Sequence, residues 1–346
     1  MRLSRLPSTL IRNFHPSPAK ELRRLRRVCD HGAVNSGRST QDQLAARTAR
    51  SVCRRRFPHV LFASYFLSPP KRDAIRALAA FLSIAHEALL SSATAATGCS
   101  STGPSIAPLL REQIDRLHQG DIDLPLPEFR DESQHILHAM VQTFQRFEIP
   151  RQYLLTWIDG VIADRSTSRY ATWNALERHC HQTHGQLALA AAAVLGVTRS
   201  DAPALLLNLA SGIRLGETLT HLARDLSANK IYLPLADLAQ HRYSQRELLA
   251  HTINDNLRQL LLFEISRARA LLDQGEAIIA WLAGDGSRVA AAALLTQYRD
   301  LLRRYDRADL DPFIDRPLSP QPSLRRLPAI WRLARQRPAA IPSTTG

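Results

Sequence analysis

Three features of this 346-residue chain predict an all-α helical bundle. Apolar residues recur every three or four positions over most of its length, which is the period of a helix face. No stretch alternates apolar and polar residues as a half-buried strand would. Breakers such as GDIDLPLP (120–127) then cut the periodic sequence into pieces of helix length.

The elements can be justified in chain order. Residues 1–50 mix Pro, Ser, Gly and Arg with little apolar period and read as a basic, mostly disordered arm, with one short helix around 20–28. The helical domain is expected over 51–312, and a Pro/Arg-rich tail with a short amphipathic helix at 324–334 over 313–346. RDAIRALAAFLSIAHEALL (72–90) is apolar around most of its circumference, so it reads as a helix buried on several sides. A Ser/Gly/Thr-rich loop (91–105) follows, then helices near 106–119, 130–147, 150–163, 173–195, 202–226, 245–282 and 286–305. Helices in such number and without strands pack as a bundle, whose ligand sites are built from side chains on facing helices.

Composition excludes several classes. The four cysteines (Cys29, Cys53, Cys99, Cys180) form no CxxC pair, which argues against a zinc ribbon, a redox dithiol or a disulfide framework and fits a reducing cytoplasm. The longest apolar run (187–195) is far shorter than the roughly 18 residues that a spanning helix needs. Of the net charge of +14, residues 1–60 hold fourteen Lys/Arg against only Glu21, Asp30 and Asp42, so the basicity belongs to the arm and not to the fold. Such an arm attracts polyanions without specificity, and peripheral contact with an acidic membrane surface is expected from it. Neither a zinc finger nor an RNP-type aromatic motif accompanies it, so no specific nucleic-acid partner is expected. GxSxG, P-loop and Rossmann fingerprints are missing as well.

The most informative stretch is LLLNLASGIRLGETLTHLARDLSANKIYLP. Leu215, Leu219, Leu222 and Leu226 form an apolar seam, while Arg214, Thr218, His221, Asp225 and Asn229 recur every three or four residues on another face. A solvated face is the ordinary reading of such a polar seam. In HCHQTH, Cys180 and His184 or His181 and His184 could share a helix face toward Zn²⁺, but spacing identifies no third ligand, and ordinary helix residues are the expectation. His135 and His138 (HILH) are read the same way.

LTHLARD (219–225) followed closely by KIYLP (230–234) resembles the squalene/phytoene synthase family, whose members read "LTNILRD" and then "GRIYLP". IDGVIADRSTSRYATWNALERHCHQTHG (158–185) is similar to a second block of that family, with Gly160, Asp164, Arg169, Tyr170, Leu176, Cys180 and Gly185 in the matching places. FASYFLSPPKRDAIRALAAF (62–81), FEIPRQYL (147–154) and QYRDLLRRYD (297–306) follow in order, so the resemblance covers about 55–335.

The resemblance implies an isoprenoid-synthase-type bundle around a central cavity. It also implies Mg²⁺-dependent head-to-head condensation of two prenyl diphosphates in squalene- or carotenoid-type biosynthesis. In that chemistry an allylic diphosphate ionises, an apolar hollow protects the cation, and metal and basic groups neutralise the pyrophosphate. On this analogy Asp225 and Asn229 fall at the metal positions, and Asp164 assists. Tyr170 and Tyr232 would contact the diphosphate or the cation, and Arg169, Arg224, Lys230 and His221 would hold the substrate.

The chain departs from the family pattern at several positions. The cavity-facing Tyr, Arg, Asp and Asp of the first family helix fall on Ala79, Ser83, His86 and Leu90, none of which carries the family's phenol, guanidinium or carboxylate. Glu87, the only acid nearby, points about 100° away from His86. His59 and Val60 replace a Ser-Phe pair, His221 stands where Asn is usual, and four residues are absent before Lys230. Weakened activity is the expectation, with a catalytically inactive homologue acting as a lipid-binding or assembly partner as the alternative.

Overall fold

The computed structural model describes residues 39–94, 106–121, 131–197, 199, 202–307, 312–313 and 319–336. The expected helix at 20–28, most of the expected arm and the breaker at 122–127 lie outside these residues. The described chain is all-α. In order it forms α1 (Thr40–Arg56), α2 (Pro58–Ser64), α3 (Pro69–Thr94), α4 (Ile106–Gln119), α5 (Asp131–Arg146), α6 (Arg151–Ser166), α7 (Trp173–Cys180), a π-helical turn (His181–Gly185) and α8 (Gln186–Leu195). Then come α9 (Ala202–Thr220), α10 (Leu222–Ser227), α11 (Leu235–Gln240), α12 (Gln245–Leu249), α13 (Asp255–Gly275), a 3₁₀ turn (Glu276–Trp281), α14 (Ser287–Arg307), a second 3₁₀ turn (Leu324–Arg326) and α15 (Leu327–Ala334). Among the described residues the only β pairing is two isolated bridges, Arg169 with Ile231 and Val197 with Leu282. No described helix is long and apolar enough to cross a membrane.

Among the described residues the packed bundle already includes the helix from Thr40, within the stretch expected as arm. Ser39 and Asp42 form a reciprocal capping box, which satisfies amide donors that the first turn would leave orphaned. Asp42 also accepts from His138 of α5 at 2.8 Å, and this bond chiefly holds its carboxyl below the usual range. Ala45, Ala49 and Val52 turn the inner face of α1 into the core. His138 is therefore a docking residue for α1.

Two apolar cores divide the bundle. One joins buried residues of α1, α3, α4, α5, α6 and α8 around Leu110, Ile114, Met140 and Ile158. The other joins α9, α13, α14 and α15 around Leu215, Leu260, Leu272 and Leu301. The expected seam Leu215, Leu219, Leu222 and Leu226 is buried in this second core, at roughly 1.5–3 kcal/mol for each leucine. A small cluster of Tyr170, Leu176, Cys180 and Tyr232 sits with α7.

Three expected helices are broken by local chemistry that periodicity does not report. The segment at 202–226 divides at His221, whose backbone leaves the helical region (φ −114°, ψ 18°) while its ring Nδ1 donates to the Glu217 carbonyl at 2.8 Å. The segment at 245–282 divides because Ser244 caps α12, His251 adopts φ +54° and Asn254 caps α13 through a 2.9 Å bond to the Leu257 amide. The segment at 173–195 contains the π turn, and π turns recur at functional sites. Gly160 of α6 lies against it: a Cβ there would stand 2.9 Å from the Gln182 carbonyl oxygen and from the Thr183 methyl. Glycine thus lets α6 approach the turn, and Asp164, one turn further on, arrives on the same face.

Candidate functional site

The site is built where α6, α7, the π turn and α9 meet. Asp164 is its acceptor hub. Tyr232 donates its hydroxyl to Oδ2 at 2.6 Å, Tyr170 donates to Oδ1 at 3.0 Å, and His179 Nε2 stands 3.4 Å from Oδ1. The three rings lie together, with Tyr170 and Tyr232 stacked at 5.9 Å and His179 and Tyr232 at 6.1 Å. Burial raises both phenols, and Asp164's charge and hydrogen bonds raise them further, so both remain protonated donors. Burial holds His179 down at about 4 against the pull of Asp164.

The backbone explains why two distant segments present their tyrosines together. Ile231 donates its amide to the Ser168 carbonyl at 2.9 Å, Leu235 to Tyr170 at 2.9 Å and Ala236 to Ala171 at 3.0 Å. KIYLP therefore runs beside 168–171 as a strap, which sets Tyr232 beside Tyr170. Lys230 fastens it: its ammonium donates to the carbonyl of Asp164 and, at 2.6 Å, to that of Thr167. These carbonyls end α6, where a cation is favoured by both hydrogen bonding and the helix dipole.

A second, half-buried chain of polar groups lies alongside. Glu217 of α9 accepts from Tyr298 of α14 at 2.8 Å and pairs with His184 of the π turn at 3.0 Å, while the Tyr298 hydroxyl lies 3.5 Å from His59 Nε2. Burial pushes the Glu217 carboxyl up, but His184, Arg214 and the Tyr298 hydroxyl together hold it well below its ordinary value. Burial takes His59 down to about 4, so it is neutral.

The remaining expected residues are placed as follows. Asp225 is buried at 7% exposure; its Oδ1 accepts from Arg224 at 3.1 Å and its Oδ2 has no hydrogen-bond partner. Its charge acts on Tyr232 and Arg214, so Asp164 and Asp225 address one neighbourhood. Asn229 does not stack one turn beyond Asp225, because α10 ends at Ser227 and Asn229 takes φ +55°. Its side-chain oxygen accepts from Arg169 at 2.9 Å. Arg169 is spent on this contact, on the Asn229 carbonyl and on Gln245, at the edge of the strap. His221 is occupied at the break between α9 and α10.

On α3, Ser83 is buried, Ala79 packs against Cys53, Leu61 and Tyr65, and Leu90 is exposed. His86 extends toward the site: burial first, then the charge of Arg214, lower its imidazole, while Asp164 opposes them. Glu87 turns away to pair with Arg56.

The donor set does not fit a magnesium cage. A cage needs several carboxylate oxygens converging on one point. Here the oxygens of Asp164 and Glu217 are filled by protein donors, Asn229 is held by Arg169, and Asp225 Oδ2 alone is uncommitted. Among the described residues no group of three His, Cys, Asp or Glu side chains is arranged to hold a metal ion. In HCHQTH, burial pushes the Cys180 thiol up to about 12 and His184 pairs with Glu217.

Several residues of the site are invisible to motif reading. His179, His184, Glu217 and Tyr298 lie among the matching segments, yet only the π turn and the crossing of α14 bring them together. Arg214 belongs to the polar seam, but its seat on the Tyr232 ring, 4.5 Å from the centroid, depends on the strap.

Comparison with known proteins agrees with this architecture. Residues 53–328 match the family model described as squalene/phytoene synthase. The 15-cis-phytoene synthase of Synechocystis sp. is 32% identical over 206 residues, covering 56% of this chain and 61% of that protein. That of Synechococcus elongatus is 31% identical over 196 residues, covering 53% and 63%. The matched part thus spans less than two thirds of these relatives. A dehydrosqualene synthase crystal structure superposes with a TM-score of 0.68 at 16% identity, over 85% of this chain and 96% of that one. Squalene synthase HpnC from Alicyclobacillus acidocaldarius gives 0.62 at 19% identity, over 78% and 96%. With an all-α bundle and a family-model match over most of its length, the chain belongs to the squalene/phytoene synthase family.

Proposed function

We propose that this protein binds prenyl diphosphates at the Asp164–Tyr170–Tyr232 cluster and condenses two of them head to head, slowly. The observation that carries this reading is the convergence of both family blocks on one carboxylate: Tyr170 from the first and Tyr232 from the second both donate to Asp164. Fixed phenols of this kind present ring faces and hydroxyls whose orientation costs nothing to organise during ionisation. Arg224 beside Asp225 adds a cation at the edge of the cluster. The reduced rate follows from charge. Arg214 already covers one face of Tyr232, so a carbocation formed beside that ring meets a guanidinium.

A second reading, a homologue that binds prenyl diphosphate without converting it, is favoured by one observation. The face of α3 carries Ala79, Ser83, His86 and Leu90, and no acid joins Asp225 across it.

The test is incubation of the purified protein with farnesyl or geranylgeranyl diphosphate and Mg²⁺, measuring lipid products and released pyrophosphate. Slow product formation that Asp225→Ala abolishes supports condensation. Binding without any product supports the second reading, and failure to bind any prenyl diphosphate refutes both.

A further inference from the structure

The polar seam of α9 and α10 carries a run of buried atoms that the protein leaves without partners: Ser211 Oγ, Arg214 Nε, Thr218 Oγ1 and Asp225 Oδ2. Ser211, Arg214 and Thr218, spaced three and four apart, lie along one face of α9, and Asp225 follows on α10 beyond the break at His221. A buried donor or acceptor without a partner costs about 1–3 kcal/mol, more when charged, so a row of them marks a surface that meets something other than the protein.

Arg214 is the cationic member of this row: burial disfavours its charge, and Tyr232, Glu217 and Asp225 are among the neighbours that offset it. Among the described residues its guanidinium makes no hydrogen bond and no ion pair, and it lies over the Tyr232 ring. Neighbouring acids attract it through space but do not hydrogen-bond to it, because each is held from another side. Glu217 is taken by His184 and Tyr298, Asp164 by the two tyrosines and Asp225 by Arg224. A guanidinium presents five donors in a planar fork suited to phosphate oxygens, and this one is already oriented by an aromatic ring. His86 of α3 and His179 of α7 lie within reach of its charge. The family resemblance assigns Arg214 no role.

We propose that Arg214 binds the diphosphate group of a prenyl diphosphate directly, supplying the positive charge that the missing carboxylate–metal array does not. This rests on the reading of the cluster as a prenyl diphosphate site and changes what holds the ligand there. Positive charge reaches the anion from the protein itself, so binding does not depend on divalent metal.

Titration calorimetry with farnesyl thiolodiphosphate, whose C–S bond resists ionisation, tests this in EDTA and in excess Mg²⁺. Wild type should bind in EDTA within about threefold of its affinity in Mg²⁺. Arg214→Gln should weaken binding in EDTA by about ten- to a hundredfold, as expected for losing a charged hydrogen-bond donor. Arg214→Lys, which keeps the charge without the fork, should fall between them. Inorganic pyrophosphate, carrying the same headgroup without a tail, should lose affinity in the same order. Binding that requires Mg²⁺, or that Arg214→Gln leaves unchanged, overturns this inference and leaves the proposed condensation standing. If folded wild type binds the analogue in neither condition, the reading of the site itself fails. Should Arg214→Gln not melt cooperatively, the wild-type comparison and Arg214→Lys still decide.

Discussion

Replacing Glu264 by Gln should stabilise the protein at alkaline pH and change little in acid. Glu264 of α13 is wholly buried, and its Oε2 accepts from Arg267 Nη1 at 2.8 Å. The same nitrogen donates at 2.7 Å to Asp237 of α11. Two buried carboxyls thus share one guanidinium, which in turn lies over Trp173 at the start of α7. Burial raises Glu264 most, Arg267 opposes it, Asp237 adds to the rise, and the result is about 8 against an ordinary 4.5. For an acid raised in this direction, the folded protein holds a proton that the unfolded chain has lost between those two values. Stability therefore falls as pH rises through that window, and the whole penalty is present above pH 8. Each unit is worth about 1.4 kcal/mol, and sharing of the proton with Asp237 brings the total to the order of 2–3 kcal/mol. Glutamine keeps an acceptor for Arg267, gains a donor for Asp237 and does not titrate. Urea unfolding should place the variant within about 1 kcal/mol of wild type at pH 5 and about 2–3 kcal/mol above it at pH 8.5. A wild-type profile flat between pH 5 and 8.5, or a variant weakened equally at both, refutes the shared-proton account.

The opposite pH dependence is expected at Glu217. Its carboxyl is depressed in the fold, so its contribution is complete above the unfolded value of 4.5 and is lost as pH falls through the lower folded value. Glu217→Gln should cost about 2–4 kcal/mol at pH 7, for two charge-assisted hydrogen bonds, and progressively less below pH 4; a cost that stays constant between pH 7 and pH 3.5 in urea titrations contradicts this. Gly160→Ala drives a methyl into the π turn and should lower stability by about 1–3 kcal/mol. Gly284→Ala, where nothing lies within 4 Å, is its control, and equal midpoints for the two variants would show that the approach of α6 to the turn is not tight.

Much of the bundle is legible in the sequence because helical period survives wherever one face is buried. The seam from Leu215 to Leu226 and the helices at 106–119, 131–146 and 151–166 follow from that alone. What escapes is set by contacts distant in sequence or by single side chains. Helix α1 is fixed by a capping box and by His138, 96 residues away, within a stretch whose composition resembles an arm. The break at His221 comes from one imidazole bonding to its own helix. The site divides in the same way. Asp164, Tyr170 and Tyr232 were visible by motif, whereas the pairing of Glu217 with His184 and Tyr298 needs the fold to assemble it.

The motifs that identify the family are explained first by architecture and only then by chemistry. Lys230 reads as a basic group for a diphosphate, yet its ammonium is consumed by the carbonyls that end α6. Arg169 reads likewise, and it braces the turn at Asn229. The isoleucine of KIYLP is fully buried and bonded to Ser168. These residues build the strap that holds Tyr232 over Asp164, so a chain could keep every one of them and still lack the acids that grip metal. Matching KIYLP or the GxxxD of α6 therefore reports a scaffold able to orient two phenols around a carboxylate. Whether such a scaffold turns over depends on charges the strap does not supply, on the face of α3 and on the seam of α9. There His86 and Arg214 stand within electrostatic reach of each other.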